Sequence, residues 1–237
     1  CMCENRKGRY CHGAGAAVLY SHIRTGRLPA LRRIGQGGKK PHGEKAAGCD
    51  MAEIAFLLNG TPIRVGAEPP TRTLLDFLRE TKGLCGTKEG CNEGDCGACT
   101  VMVTDEAGPR ALNACILFLP QLHGKAVRTV EGIAGPEGQL HPVQQAMIDH
   151  HGSQCGFCTP GFIASMAVAH TQGRSDHDVV LAGNLCRCTG YAPIIRAAEA
   201  AESVPVPEGM KADRDLILTE VSHGAPMGAG DSVFGAF

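Results

Sequence analysis

Eight of the thirteen cysteines in this 237-residue chain fall into two groups of four, each with a compact spacing. The first group follows C-x4-C-x2-C-x15-C, and the second follows C-x2-C-x27-C-x-C. Because thiolates at such short intervals are the usual ligands of structural metals and iron–sulfur clusters, the fold must bring four thiols together twice. The first cysteine group is Cys91, Cys96, Cys99 and Cys115, and the second cysteine group is Cys155, Cys158, Cys186 and Cys188.

The first cysteine group has the spacing of plant-type [2Fe-2S] sites, in which four thiolates hold two irons. Its loop is rich in glycine and includes Gly90, Gly94 and Gly97. Glycine permits the positive φ angles that a backbone needs to wrap tightly round a cluster and aim its N–H groups at sulfur. The spacing and the glycines therefore predict a [2Fe-2S] cluster here and disfavour zinc.

The second cysteine group lies directly before two predicted helices. Its C-x-x-C precedes a helix that starts at Thr159-Pro160, and its C-x-C precedes a helix over residues 192–202. The positive end of a helix dipole favours an anionic thiolate site. On spacing alone, this group is compatible with an iron–sulfur cluster and with structural zinc. A thioredoxin-like role is disfavoured, because no βαβ pattern surrounds the C-x-x-C.

Five cysteines remain outside both groups. We predict that Cys85 is a small buried thiol and not a further ligand. Disulfides are disfavoured, because no export signal is visible and thiols stay reduced in the cytosol. His150 and His151 are predicted to lie at a solvated helix end, since both thiolate sets are already complete. The other four cysteines, Cys1, Cys3, Cys11 and Cys49, precede Met51 and are interpreted as incidental.

The charge distribution separates the first fifty residues from the rest. Residues 1–50 carry ten basic and three acidic side chains, whereas residues 51–237 carry thirteen and twenty-one. The first part also lacks apolar periodicity, so we predict a basic N-terminal extension that is disordered or not native, with the native protein beginning at Met51. A twin-arginine export signal is disfavoured, because no apolar segment follows Arg32-Arg33.

Residues 51–131 carry the signals of a small mixed sheet with one helix. Apolar side chains alternate with period two from Ile54 to Leu58, and Asn59-Gly60 predicts a hairpin turn. The further elements predicted here are a helix capped by Thr71 or Thr73 and strands over residues 100–103 and 126–130.

Residues 132–203 are predicted to form a helical domain, and residues 204–237 a linker or poorly ordered tail. No flavin-binding pattern is recognisable in the tail, and Gly228-Ala-Gly230 is too short to indicate a dinucleotide loop. The helices are predicted over residues 142–150, 160–171, 176–183 with Ser175 as N-cap, and 192–202.

Composition excludes several functional classes. No run of about 18 apolar residues is present, so we expect no membrane-spanning segment. The chain has only seven Phe, three Tyr and no Trp with a net charge of −1, which argues against nucleic-acid binding. We expect a cytoplasmic protein.

Three strings resemble the iron–sulfur segment of the xanthine oxidase family of molybdenum hydroxylases. The resemblance runs from about residue 51 to residue 202. Within the family, the connecting strings around Asn113, Glu131 and His141 are most similar to iron–sulfur small subunits of the bacterial xanthine dehydrogenase type. The strings are GTKEGCNEGDCGACTV from Gly86, QCGFCTPG from Gln154 and GNLCRCTGY from Gly183.

The resemblance implies a fold and a set of cofactors. The expected fold is α+β, with a ferredoxin-like β-grasp [2Fe-2S] domain over residues 51–131 and an all-α four-helix [2Fe-2S]-binding domain over residues 132–203. The second cysteine group would hold the cluster nearest a molybdopterin centre, and the first would hold the one nearer to FAD. Gln154 matches a glutamine that contacts the molybdopterin. The expected partners are a molybdopterin-binding large subunit and a flavin domain or subunit.

The function implied is electron transfer within a molybdenum hydroxylase, from the molybdopterin centre through two [2Fe-2S] clusters towards FAD and NAD. The favoured reaction is xanthine dehydrogenation in purine catabolism, in which this chain is an oxidoreductase subunit that is not catalytic alone. Two alternatives stay open. One is the same redox role in an aldehyde, N-heterocycle or carbon monoxide dehydrogenase. The other is a zinc-stabilised interaction module without redox chemistry.

Overall fold

The structure is a computed structural model that describes residues 53–66, 68–135 and 138–217. The predicted basic extension, the start at Met51 and the last part of the predicted tail lie outside these residues. In the part of the chain that is described, no helix is long and apolar enough to cross a membrane.

A five-stranded mixed sheet forms the first half of the described chain, in the order β2-β1-β5-β3-β4. β1 and β5 pair in parallel, and the other neighbours are antiparallel. One helical segment crosses this sheet, which gives the β-grasp arrangement that was expected. The strands are β1 Ile54–Leu58, β2 Thr61–Val65, β3 Thr100–Asp105, β4 Gly108–Asn113 and β5 Ala126–Arg128.

The predicted hairpin between β1 and β2 is confirmed. Leu58 pairs with Thr61 across a two-residue turn, and both turn residues have positive φ, 52° for Asn59 and 79° for Gly60. Asparagine and glycine are the residues that tolerate this left-handed backbone best. β4 was not predicted, because it is an edge strand with half-exposed side chains and without an alternating apolar pattern.

The helix of the first half, α1, spans Leu74–Asp76 and continues as a π-helical turn over Phe77–Thr81. Thr73 is its N-cap, since its side chain accepts a hydrogen bond from the Asp76 amide at 3.1 Å. This confirms one of the two predicted caps. The apolar face of the helix is fully buried against the sheet.

The second half is helical, as predicted. α4 is buried along nine consecutive residues from Gly161 to Ala169, because it is apolar on all sides and packs between the sheet and the other helices. Met102 of β3 belongs to the same apolar core as Phe162 of α4, so the two halves share one packed interface. The helices are α2 Val130–Ile133, α3 Pro142–Asp149, α4 Thr159–Gln172, α5 His177–Val180 and α6 Ala192–Ala201.

Two sequence expectations in this half are wrong. The N-cap of α5 is Asp176 and not Ser175, and α5 has only four residues. Residues 208–217 are not a linker, because Glu208–Leu216 form a further helix, α7. Its Asp213 is fully buried and receives two hydrogen bonds from the guanidinium of Arg128 at the end of β5, at 2.5 and 2.7 Å. A long-range ion pair of this kind leaves no periodic signal in the sequence.

The Arg128–Asp213 pair predicts how strongly α7 is held. Removing one partner of a buried ion pair leaves an uncompensated charge, so Asp213→Ala should lower the free energy of unfolding by about 3 kcal/mol. Urea denaturation followed by circular dichroism measures this loss. The matched control is Glu53→Ala, whose ion pair with Arg64 is more than half exposed on both sides and which should leave stability nearly unchanged. Equal effects of the two variants would contradict the assignment.

His141 predicts a pH dependence of stability. It is fully buried at the start of α3, where its Nδ1 accepts a hydrogen bond from the Val143 amide. Burial, together with the nearby His170 and Arg128, lowers the pKa of His141 to about 4. In the unfolded chain the His141 ring binds a proton near pH 6.5, whereas in the folded chain it stays neutral down to about pH 4. The free energy of unfolding should therefore fall as the pH drops from about 6.5 towards 4.

The control for this prediction is His141→Asn, which retains an N-cap acceptor but does not titrate. Urea midpoints between pH 7.5 and 5.5 should decline less steeply for the variant than for the wild-type chain. Parallel pH profiles would show that His141 does not carry the effect.

Candidate functional site

The outer part of the first cysteine group is formed by Cys91 and Cys96. The amides of Asp95 and Cys96 donate to the Cys91 sulfur at 3.3 Å each, and the Cys91 amide donates to the Cys96 sulfur at 3.4 Å. Hydrogen bonds from the amides of Glu93, Cys96 and Asp95 lower the pKa of Cys91 to about 7. The backbone of this loop thus stabilises a thiolate before any metal is considered.

The inner part of the first cysteine group is formed by Cys99 and Cys115, which are 2 % and 6 % exposed at the edge of the sheet core. Burial, together with the neighbouring Cys115 and Cys96 thiols, raises the pKa of Cys99 to about 12. Such a site is unfavourable for thiolates unless a cation supplies the missing positive charge.

Residues 83–99, which carry three of the four cysteines of the first group, are called the first loop. Two glycines allow this loop to take its shape. A Cβ on Gly90 would lie 2.7 Å from the Cys96 sulfur, so only glycine lets the backbone approach that thiol. Gly97 has a φ of +69°, and a Cβ there would lie 2.3 Å from the Gly183 carbonyl oxygen. The predicted positive φ is confirmed for Gly94 and Gly97 but is wrong for Gly90, where glycine is required by close packing instead.

The first loop is also fixed by cations that the sequence analysis did not identify. Lys88 is 8 % exposed, and its ammonium donates to the carbonyl oxygens of Cys85 at 2.7 Å and Gly86 at 3.2 Å. Arg79 of the π-helical turn donates to the Thr87 carbonyl at 2.9 Å. No sequence spacing predicts such contacts, because they join side chains to backbone carbonyls of an irregular loop.

The second cysteine group forms where α4 and α6 begin. Cys158 is the N-cap residue of α4, and Cys186 lies six residues before α6. Burial, together with the neighbouring Cys186 and Cys155 thiols, raises the pKa of Cys158 to about 12. A hydrogen bond with Cys155 raises the pKa of Cys188. Thiols that are up to 33 residues apart in the sequence are therefore neighbours where these two helices begin.

Hydrogen bonds hold the C-x-C turn of the second cysteine group in shape. The Tyr191 hydroxyl accepts a hydrogen bond from the Cys186 amide at 3.0 Å, and the Thr189 hydroxyl lies 3.1 Å from the Cys186 sulfur. Tyr191 has a φ of 67°, an unusual value for a bulky residue, at the point where α6 begins. The turn is thus tied to the helix that follows it.

Each cysteine group is built from two neighbouring pairs of thiols. This arrangement fits a [2Fe-2S] cluster, in which each of two irons takes two thiolates. Among the described residues, no group of three or more His, Cys, Asp or Glu side chains has the arrangement that would hold a metal ion, so the structure shows neighbouring pairs of thiols and not a complete set of ligands. The pairs are Cys91 with Cys96, Cys99 with Cys115, Cys155 with Cys188, and Cys158 with Cys186.

The other residues singled out by sequence lie round these groups. Gln154 is exposed beside Cys155, and Cys85 is buried at 6 % exposure. His150 is the C-cap of α3 and His151 is exposed, in keeping with a solvated helix end. The nine cysteines within the described ranges form no disulfide with one another.

Two family models match the chain. The model described as "2Fe-2S iron-sulfur cluster binding domain" matches residues 56–119, and the one described as "[2Fe-2S] binding domain" matches residues 129–199. The fold and the two cysteine groups therefore define a protein region with two [2Fe-2S] sites. The second match also decides against zinc in the helical half, which the spacing alone had left open.

Similar proteins place the chain in a family. Xanthine dehydrogenase of Drosophila pseudoobscura pseudoobscura is 46% identical over 154 residues, which are 61% of this chain and 12% of that protein. Aldehyde oxidoreductase of Desulfovibrio desulfuricans ATCC 27774 has a TM-score of 0.59 and 37% identity, over 65% of this chain and 17% of that chain. Quinoline 2-oxidoreductase of Pseudomonas putida 86 has a TM-score of 0.54 and 35% identity, over 70% of this chain and 98% of that chain.

The chain belongs to the xanthine dehydrogenase family of molybdenum hydroxylases and corresponds to its iron–sulfur region. It spans about an eighth of the length of the xanthine dehydrogenase relative, whereas it covers nearly all of the matched quinoline 2-oxidoreductase chain.

The close approach of Gly90 to Cys96 predicts a selective loss of iron. In Gly90→Ala the new methyl group must displace the Cys96 sulfur. The iron bound by the first cysteine group should therefore fall, whereas the iron bound by the second cysteine group should stay at the wild-type amount. Iron and labile sulfide analysis of the purified chain measures the loss. Gly66→Ala is the matched control, because a Cβ there meets nothing within 4 Å. Full iron content in Gly90→Ala would contradict this geometry.

Proposed function

We propose that the chain carries electrons through two [2Fe-2S] clusters, with the first cysteine group as ligands of one and the second as ligands of the other. A bound [2Fe-2S] cluster accepts and releases electrons one at a time. The observation that carries the proposal is the arrangement of each group as two thiol pairs. The chain's own contribution is to fix the sulfurs, supply N–H donors and exclude water from one side.

Each site has a buried side and an open side, which suits electron entry and exit. In the first cysteine group, Cys99 and Cys115 are buried while Cys91 and Cys96 are partly exposed. In the second, Cys186 is buried while Cys155 and Cys188 are exposed. Because the open side brings cluster sulfurs close to the surface, a redox partner can dock there without any opening of the fold.

The open side of the second cysteine group supports a molybdopterin-bearing partner. Phe157 is 45 % exposed and Leu185 is 53 % exposed beside the exposed thiols, and large apolar side chains in such positions mark contact surfaces. Gln154 lies next to Cys155 on this surface, and its amide can both donate to and accept from a pterin ring. We assign Gln154 as the molybdopterin contact on this basis.

The first cysteine group is assigned to the flavin side. Ile116 is 55 % exposed and Phe118 is 39 % exposed directly after Cys115, so a second apolar surface adjoins this site. The two partners proposed are thus a molybdopterin-binding large subunit or domain and a flavin subunit or domain, with FAD passing electrons to NAD. Cytoplasmic placement is proposed with them, since ligand thiols persist where thiols stay reduced.

The favoured substrate of the whole enzyme is xanthine, because the xanthine dehydrogenase relative is 46% identical, against 42% for aldehyde oxidase 3 of Mus musculus. Aldehyde or N-heterocycle oxidation is the second candidate, and the solved structures that match carry those names. Co-purification of the molybdopterin partner, followed by assays with xanthine, an aldehyde and quinoline with NAD as acceptor, separates these outcomes.

The ligand assignment predicts which cluster each cysteine variant removes. The wild-type chain should bind about four irons and four labile sulfides, the content of two [2Fe-2S] clusters. Cys96→Ser should remove one EPR signal and Cys158→Ser the other, each leaving the remaining signal intact. Cys85→Ser is the matched control, since Cys85 belongs to neither group, and it should retain both signals.

Two results would refute this assignment. One is a wild-type chain that binds zinc in place of iron. The other is loss of both signals in either single variant while the chain stays folded by circular dichroism.

A further inference from the structure

Asn184 connects the two cysteine groups. It lies two residues before Cys186 and is 3 % exposed. Its side-chain amide donates to the Gly97 carbonyl oxygen at 3.0 Å and to the Thr100 hydroxyl at 3.2 Å. Since Gly97 directly follows Cys96, one buried amide joins the backbone of the first loop to the chain that leads into the second.

The orientation of this amide is fixed from the other side. The hydroxyl of Ser165 on α4 donates to the Asn184 side-chain oxygen at 2.7 Å. That bond leaves the NH2 group facing Gly97, because only the oxygen accepts from a hydroxyl that donates. Asn184 therefore uses both ends of its side chain to bridge α4 and the first loop.

The backbones at this junction are in close contact. A Cβ on Gly161 of α4 would lie 2.1 Å from the Gly97 carbonyl oxygen, and the Leu185 amide donates to the Cys96 carbonyl oxygen at 3.0 Å. At these two points no side chain separates the backbone of the first loop from the backbone of the helical half. At this junction the two cysteine groups are therefore joined by direct backbone contact and hydrogen bonds, in addition to the apolar core that β3 and α4 share.

We propose that Asn184 is a positioning residue that fixes the separation of the two clusters and with it their electronic coupling. The proposal rests on the function proposed above. Electron transfer between clusters slows steeply with distance, so a junction that holds two ligand loops rigidly keeps the transfer fast. Asn184 contacts neither sulfur nor iron in this role and acts only through the backbone at Gly97 and the turn before Cys186.

The test is the magnetic interaction between the two reduced clusters in the full 237-residue chain. In the wild type, reduction of both clusters should split their EPR lines at low temperature. In Asn184→Ala both clusters should still load, but the splitting should narrow or disappear, because the loops lose their common amide. A role limited to folding would lower stability or iron content and leave the splitting of loaded chains unchanged.

The matched control is Gln172→Ala. The exposed Gln172 amide of α4 also donates to a backbone carbonyl of the sheet half, that of Pro109 at 2.7 Å, but this bond reaches β4 and not a cysteine loop. This variant should retain the wild-type splitting. Should Asn184→Ala fail to load both clusters, Ser165→Ala decides the question, since it retains the amide and removes only the hydroxyl that orients it.

The outcomes separate the two proposals. Narrowed splitting in Asn184→Ala or, where that variant does not load, in Ser165→Ala supports the positioning role. Wild-type EPR splitting in the deciding variant overturns it, as does equal narrowing of the splitting in Gln172→Ala. A wild-type chain that binds no iron would instead contradict the electron-transfer function, whatever the variants show.

Discussion

The structure depends on the contact between the first cysteine loop and the helical half of the chain. At this contact the Gly97 carbonyl lies against α4, where only glycine at position 161 leaves room for it. Both cysteine groups border this contact, so the packing that joins the two halves also places the two sites side by side. The shared apolar core of β3 and α4 then holds the arrangement in place.

Burial of the thiols opposes their ionisation to the thiolates that bind iron. Cys99 and Cys158 have pKa values raised to about 12 by burial and by the thiols beside them, so the protein without metal holds these groups as neutral thiols. Iron supplies the positive charge that makes the thiolates favourable there. In a chain with few large aromatic side chains, metal binding of this kind also adds to the stability that a modest core provides.

The sequence predicts well those features that local chemistry specifies. Cysteine spacing predicts both groups, and Asn59-Gly60 predicts the hairpin, because a metal site and a two-residue turn each require particular residues at fixed intervals. The β4 strand and helix α7 escape prediction, since one is a half-exposed edge and the other is fixed by the distant Arg128. Asn184 lies within a recognised string, yet nothing in that string tells which carbonyl it contacts. The ligand roles of the cysteines and of Gln154 stay predictions.

The most direct measurement is quantitative EPR of the fully reduced wild-type chain. Two adjacent but separate [2Fe-2S] sites predict about two spins per chain, divided between two distinct signals with different relaxation. They also predict two successive one-electron steps in a reductive titration. A single signal of about one spin per chain, or an EPR-silent protein that contains zinc, would contradict the account.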